Sequence, residues 1–287
     1  MTITATSAPA HEAAELPPSR GLIHDIWIMA RRGLTHMKRQ PEALSDATIQ
    51  PIVFVLLFAY VFGGAIDVPG AEGGAIEYRK FLMGGIFAQT IVFTAFGVAM
   101  ALAFDRKNQV IDRFRALPMA RGAVLGGHAV ASLFKALLPI AIMSLCGLAV
   151  GWRIEDGFLD AVVGYLLLVG FAFAMIWVGV LLGSVVSTPE AVQGIAFGVL
   201  FPITFLSSAF VPTTNMPGVV KAIADWNPTT TLANAVRIQF GNPTGSTPEG
   251  APWPITHPMA YTIIWMVLIV VVCAPLAVRL YQRSISK

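Results

Sequence analysis

Charge is what this sequence has least of. Asp, Glu, Lys and Arg make up 12% of its 287 residues, about half the usual quarter, and whole stretches such as 81–104 carry none. An ordinary soluble surface is thereby excluded. Cysteine is nearly absent: Cys146 and Cys273 both sit inside apolar runs, so neither a disulfide framework nor a metal-ligating cluster can be read from them. The five histidines are scattered, and there is no HExxH motif or Gly-x-Ser-x-Gly elbow. The nearest approach to a phosphate-binding loop, Gly241-Asn-Pro-Thr-Gly-Ser246, lacks both the lysine and the spacing. The chain is therefore expected to be no enzyme and to carry no metal, cofactor or ATP site of its own. A net charge of only +3 points to no nucleic-acid partner. Residues 1–20 have no apolar core of a secretory signal and read as a disordered cytoplasmic tail.

Apolar residues fill the space that charge leaves, at 56% of the chain with a mean hydropathy of +0.71. A membrane span needs about 20 of them in a row. Six runs qualify, at about 47–66, 81–104, 130–151, 161–186, 191–211 and 259–278. The expected fold is an all-α integral membrane protein with six transmembrane helices in one domain, 21–287. Between the fifth and sixth spans, 212–258 is proline-containing and only modestly apolar, and is expected as an outer, partly re-entrant segment. Ahead of the first span, Leu22, Ile26, Met29, Ala30, Leu34 and Met37 share a helical face, flanked by Trp27, Arg31, Arg32, Lys38 and Arg39. This fits an amphipathic helix lying in the bilayer interface, or a solvated helix packed on a partner. Of the 19 Lys and Arg residues, thirteen fall in the two tails and the 105–121 loop and five in the alternate loops, with Lys135 the last. The positive-inside rule then places both termini in the cytoplasm. Lys135, one turn inside the third run, is expected to snorkel rather than to gate.

Within 105–121, Val110, Ile111, Phe114 and Leu117 form an apolar stripe among Arg106, Asp112, Arg113 and Arg115, and Pro118 ends the helix. Periodicity alone leaves two readings: a helix in a groove of a partner protein, or one resting on lipid. Inside the spans the polar groups are Gln89, Thr90 and Thr94 on the second and Thr204, Ser207 and Ser208 on the fifth. Such groups avoid lipid and either bond between helices or line a substrate path; bonding is the simpler reading. Phe93, Phe96, Phe197, Phe201 and Phe205 fit a flat lipophilic ligand, lipid contact or packing, with packing the simplest. Gly179-x-x-x-Gly183 and Gly194-x-x-x-Gly198 allow close helix approach.

Several stretches together resemble the permeases of type-2 ABC exporters, and look most like the daunorubicin/doxorubicin-resistance permeases of actinobacteria. They are Arg113-Phe-Arg-Ala-Leu-Pro-Met-Ala-Arg-Gly-Ala-Val-Leu-Gly-Gly127, Gln50-Pro51 leading into 56–65, Pro189-Glu-Ala-Val-Gln193, and Phe210-Val-Pro212 with Met216-Pro217 and Asn227-Pro228. The resemblance spans about 21–283. It implies a permease subunit in a bacterial plasma membrane that exports hydrophobic or amphipathic compounds such as drugs. It implies a separate ATPase subunit holding ATP and magnesium, a second permease copy or related chain, and the lipid bilayer around them. It makes the 105–118 helix a cytoplasmic coupling helix, with Val110, Phe114 and Leu117 as anchors and Asp112 and Arg113 as orienters. A lipid or glycan exporter is the alternative within the family, and the scarcity of intramembrane cations disfavours it. An ion-coupled secondary transporter needs mid-membrane carboxylates, and the six runs have none. A non-transporting scaffold would bind no ATPase.

Phe114→Ala, or charge reversal at Arg113, is expected to lose the ATPase subunit in detergent co-purification while the spans stay folded. Normal assembly and transport in both variants would exclude the coupling role.

Overall fold

In a computed structural model the chain is described over residues 41–108, 123–186, 188–247 and 249–285. The 1–20 tail, the 21–39 helix and Val110, Asp112, Arg113, Phe114 and Leu117 lie outside the described residues. Among those described, the regular structure is entirely helical. α1 (Pro41–Leu56) runs into a π-helical turn, Leu57–Phe62. α2 (Ala75–Lys107), α3 (Ala123–Ala149) and α4 (Phe158–Val185) follow. α5 (Pro189–Ile195), a second π turn (Ala196–Leu200) and α6 (Phe201–Phe205) form one interrupted rod. Three short helices, α7 (Gly218–Asp225), α8 (Pro228–Gln239) and α9 (Trp253–Thr256), precede α10 (Pro258–Ile285).

Among the described residues, four helices are long and apolar enough to cross a membrane: α2, α3 from Ala129, α4 and α10 to Leu280. The first and fifth expected spans are shorter apolar helices, Ile49–Phe62 and Pro189–Phe205. The fifth stops six residues ahead of its expected end at Val211. Pro202 offers no N–H, and its ring crowds the carbonyl of Gly198, four residues back, so the backbone widens into the π turn; the helix ends at Phe205, where Leu206 leaves the helical conformation. α2, by contrast, starts at Ala75 rather than 81. Arg79 and Lys80 are helical, and Lys80 Nζ lies 2.7 Å from both Glu77 and Glu155 carboxylates. Arg106 and Lys107 in the last turn of α2 suit its negative dipole end.

α4 is the central post, packed against α2, α10, α3 and α8. Between membrane helices there is no hydrophobic drive to associate, so close packing of small residues decides. Gly179 and Gly183 supply it. A Cβ on Gly179 would sit 2.4 Å from the Ala95 carbonyl oxygen, and one on Gly183 would sit 2.8 Å from Leu102 Cβ. The second small-residue pair differs: around Gly194 and Gly198 nothing lies within 4 Å.

α1 ends, α2 begins, α3 ends and α4 begins at one end of the bundle, called the cap end here. The segment between α6 and α10 fills it. α8 packs against α2, α4 and α10, and all nine residues from Thr229 to Arg237 are buried. The short α3–α4 loop is pinned to its tail: buried Trp152 donates from Nε1 to Asn242 Oδ1 (2.6 Å), and Phe240 packs edge-on against Trp152 and Phe87 at 5.5 and 6.1 Å.

Gly179→Ala is expected to destabilise the detergent-solubilised protein by about 1–3 kcal/mol, the usual cost of overpacking. Gly194→Ala should leave the thermal midpoint unchanged. Equal melting of the two variants would show that the Gly179 contact does not hold α4 to α2.

Candidate functional site

The sequence-expected path residues separate into two groups. On α2, the Thr90 and Thr94 hydroxyls donate back to the carbonyls of Ile86 and Thr90, at 2.8 and 3.4 Å. Gln89 is buried, and its Nε2 has no partner among the described residues. In the other group, Thr204 donates back to Leu200 O in the π turn, and Ser207, just past α6, donates to Thr204 O. Ser208 leaves the helix altogether. Its backbone N–H donates to Thr230 Oγ1 (2.9 Å), and its hydroxyl meets Arg237.

Arg237 is the residue that sequence reasoning passed over, as one more outer-loop cation. It is 0% exposed. Its Nε donates to Phe81 O (2.7 Å), Nη1 to Ser208 Oγ (3.0 Å) and Asn234 Oδ1 (2.8 Å), and Nη2 to Ser208 O (2.8 Å) and Ala209 O (3.4 Å). The guanidinium carbon stands 3.5 Å above the Phe81 ring, a cation–π geometry. All these partners are neutral. Burial draws the Arg237 pKa down to about 9, which still leaves it charged at neutral pH. The approach is possible because α2 carries Gly84 and Gly85 there. A Cβ on Gly84 would strike Arg237 Cγ at 2.5 Å, and one on Gly85 would overlap the Ala209 carbonyl. One sequence signal pointed to it, a lone arginine three residues after Asn234 in a threonine-rich helix, and it is a weak one.

Neighbouring contacts fix the same turn. Tyr78 OH donates to Phe210 O (3.0 Å). Asn227 caps α8, accepting from Thr229 N (2.8 Å), while its Nδ2 donates to the carbonyls of Ile203 (2.6 Å) and Leu206 (2.8 Å). One amide thus serves the start of α8 and the end of α6.

Two features are open. The first is a partly enclosed polar cavity of about 270 Å³ at the cap end, walled by Ser208, Thr214, Lys221, Asn234, Ser246 and Thr256 among others. The second is an aromatic ladder joining α1 to α6: Phe58 stacks on Phe210 (4.4 Å) and Phe62 (5.0 Å), Phe210 meets Phe205 (5.1 Å), and Phe205 stacks on Phe201 (4.4 Å). Its rim is exposed, Phe197 at 62% and Phe205 at 38%. Both π turns lie in this ladder, and such turns gather at functional sites. Phe93 and Phe96 are half-buried.

At the opposite end, the described residues beside 109–122 link α2 to α4 and α5. Arg106 Nη2 donates to Ser184 O (2.9 Å), and Lys107 lies 3.3 Å from Glu190. The Glu190 side chain is largely exposed. Lys135 is half-buried, within electrostatic reach of Asp105.

Arg237→Met is expected to cost at least about 3 kcal/mol, since several buried acceptors lose a donor worth ~1–3 kcal/mol each. Arg237→Lys should recover only part, because an ammonium cannot reproduce the fork. Melting of both variants with the wild type would contradict the central place given to this side chain.

Comparison with known proteins bears on what the whole arrangement serves. The sequence profile of the family described as ABC-2 type transporter matches residues 24–240. A daunorubicin resistance ABC transporter permease protein of Streptomyces coeruleorubidus is 32% identical over 281 residues, covering 98% of this chain and 92% of the relative. A protein described as "probable doxorubicin resistance ABC transporter permease" from Mycobacterium tuberculosis is 25% identical, covering 98% and 99%. An inner membrane transport permease of Escherichia coli is 19% identical, covering 76% and 85%.

Proposed function

Because the chain belongs to the ABC-2 type transporter family, as a multi-pass membrane permease, we propose that it is the transmembrane half of an exporter of flat, lipophilic, drug-like compounds, driven by a separate ATPase subunit. The observation that carries the substrate class is the aromatic ladder from Phe58 to Phe197. Its rim rings lie open along a helix pair loosened by two π turns. Aromatic faces offer an extended apolar compound broad contact without a desolvated charge. The daunorubicin and doxorubicin resistance permeases among its relatives support the same class.

The reading includes six spans, with α1 and the α5–α6 rod as the first and fifth, both termini in the cytoplasm, and 212–258 as a partly re-entrant outer segment. The thirteen-to-five division of basic residues supports that orientation. A second permease copy would cover the ladder and the open face at Gly194 and Gly198, so that two ladders enclose one path. The ATPase would engage the segment between α2 and α3, with Val110, Asp112, Arg113, Phe114 and Leu117 in its groove. The Arg106–Ser184 and Lys107–Glu190 contacts would carry its movement into α4 and α5. Gln89, Thr90, Thr94, Thr204, Ser207 and Ser208 would shape the path chiefly through the helices they brace.

Co-expression with a cognate ATPase, followed by efflux assays, tests the proposal. A Phe197→Ala, Phe205→Ala double variant should still assemble, yet bind a planar lipophilic substrate roughly two- to tenfold more weakly, the worth of an aromatic contact. Wild-type efflux of every lipophilic compound tried would remove the ladder from the path.

A further inference from the structure

The polar cavity at the cap end has no part in the mechanism above, and its walls have a definite chemical character. Asn234 Oδ1 is held by Arg237 Nη1 (2.8 Å) and Ser208 Oγ (3.4 Å). The amide orientation is thereby fixed, and the group left for the cavity is the Nδ2 donor. Thr214 contributes a buried hydroxyl with no partner among the described residues. Lys221 contributes an ammonium, one of whose protons goes to Asp225 Oδ2. The Lys221–Asp225 pair is neutral as a whole, whereas the Arg237 charge behind Asn234 and Ser208 meets only neutral partners. The cavity wall is therefore rich in donors, which suits an anion bearing several acceptor oxygens.

The helix beside it indicates where such an anion would come from. Along α7 and its C-cap, Val219, Ile223 and Trp226 recur at helical spacing and are all exposed, while Asp225 is buried and Lys221 lines the cavity. Trp226 also meets Tyr261 at 6.1 Å, and Trp253 stacks on His257 at 5.6 Å and meets Tyr261 at 5.9 Å. An exposed apolar edge bordered by Trp and Tyr belongs at the headgroup layer of a bilayer. The cavity then opens beside lipid headgroups rather than into bulk water. Its volume of about 270 Å³ falls just below the roughly 300–1,000 Å³ of pockets for drug-sized molecules, so it takes a headgroup and not the exported compound.

We propose that the cavity bounded by Thr214, Lys221 and Asn234 binds the anionic headgroup of a membrane amphiphile, a phosphodiester or carboxylate, with α7 resting in the same leaflet. The outer-leaflet assignment rests on the topology proposed above; the binding chemistry does not.

The full chain, purified in a neutral detergent, would be titrated with short-chain phosphatidylglycerol, short-chain phosphatidylcholine and inorganic phosphate, with thermal midpoint as the readout. Phosphatidylglycerol should stabilise saturably, and phosphatidylcholine should not. Lys221→Gln should weaken the phosphatidylglycerol effect about tenfold, the worth of one charge-assisted hydrogen bond, and Thr214→Val should weaken it less. Equal stabilisation by phosphatidylcholine, or an unchanged phosphatidylglycerol response in both variants, would overturn the site. Inorganic phosphate matching phosphatidylglycerol at equal concentration would overturn the amphiphile as occupant. Sidedness is read separately, by labelling Ser246→Cys with an impermeant maleimide on intact cells. Failure to label would count against the topology and leave the headgroup measurement standing.

Discussion

Everything at the cap end depends on one buried cation. Arg237 joins α8 to the start of α2 through the Phe81 carbonyl and to the end of α6 through the Ser208 and Ala209 carbonyls. The Phe81 carbonyl also belongs to the helical ladder of α2, whereas those of Ser208 and Ala209 lie past the end of α6. The break after Phe205 frees carbonyls that no following turn can use, and a buried carbonyl without a donor is costly. A guanidinium is the one side chain with enough donors, in a rigid fork, to serve three segments at once. The paired glycines at 84 and 85 make room for it. The cation, the glycines, the interrupted helix and the Asn227 cap are thus parts of a single solution.

The long spans were legible because their signal is length and hydropathy, which do not depend on neighbours. The same holds for the clustering of basic residues, which is read from position alone. What was not legible is structure that exists only through tertiary contact. The π turns leave no periodicity of their own, so the fifth span read as continuous to Val211. Arg79 and Lys80 read as loop charges because a charged residue lowers hydropathy whether or not it is helical; two of their partners, the Val150 carbonyl and Glu155, lie more than 70 residues away. Two glycine motifs of the same form have different surroundings, one pressed against α2 and the other open, and nothing in the pattern separates them.

The candidate path was legible only as residue types. Thr90, Thr94 and Thr204 spend their hydroxyls on their own helices, whereas Ser208, equivalent to them as a polar group in an apolar run, becomes a ligand of the buried arginine. The difference lies in one backbone break. The aromatic ladder shows the reverse case: Phe58 lies far in sequence from Phe205 and Phe210, and contact alone makes them a continuous surface.

The burial of α8 bears on how the chain is assembled. Thr229, Thr230, Thr231, Asn234 and Arg237 make this helix a poor solute in hydrocarbon, and it is closed off on every side only when α2, α4 and α10 surround it. α2 and α4 precede it in the chain, but α10 follows. The helix therefore has no finished home when it leaves the ribosome. Its compartment is complete only with the C-terminal span in place, so that span and the closed cap stand or fall together.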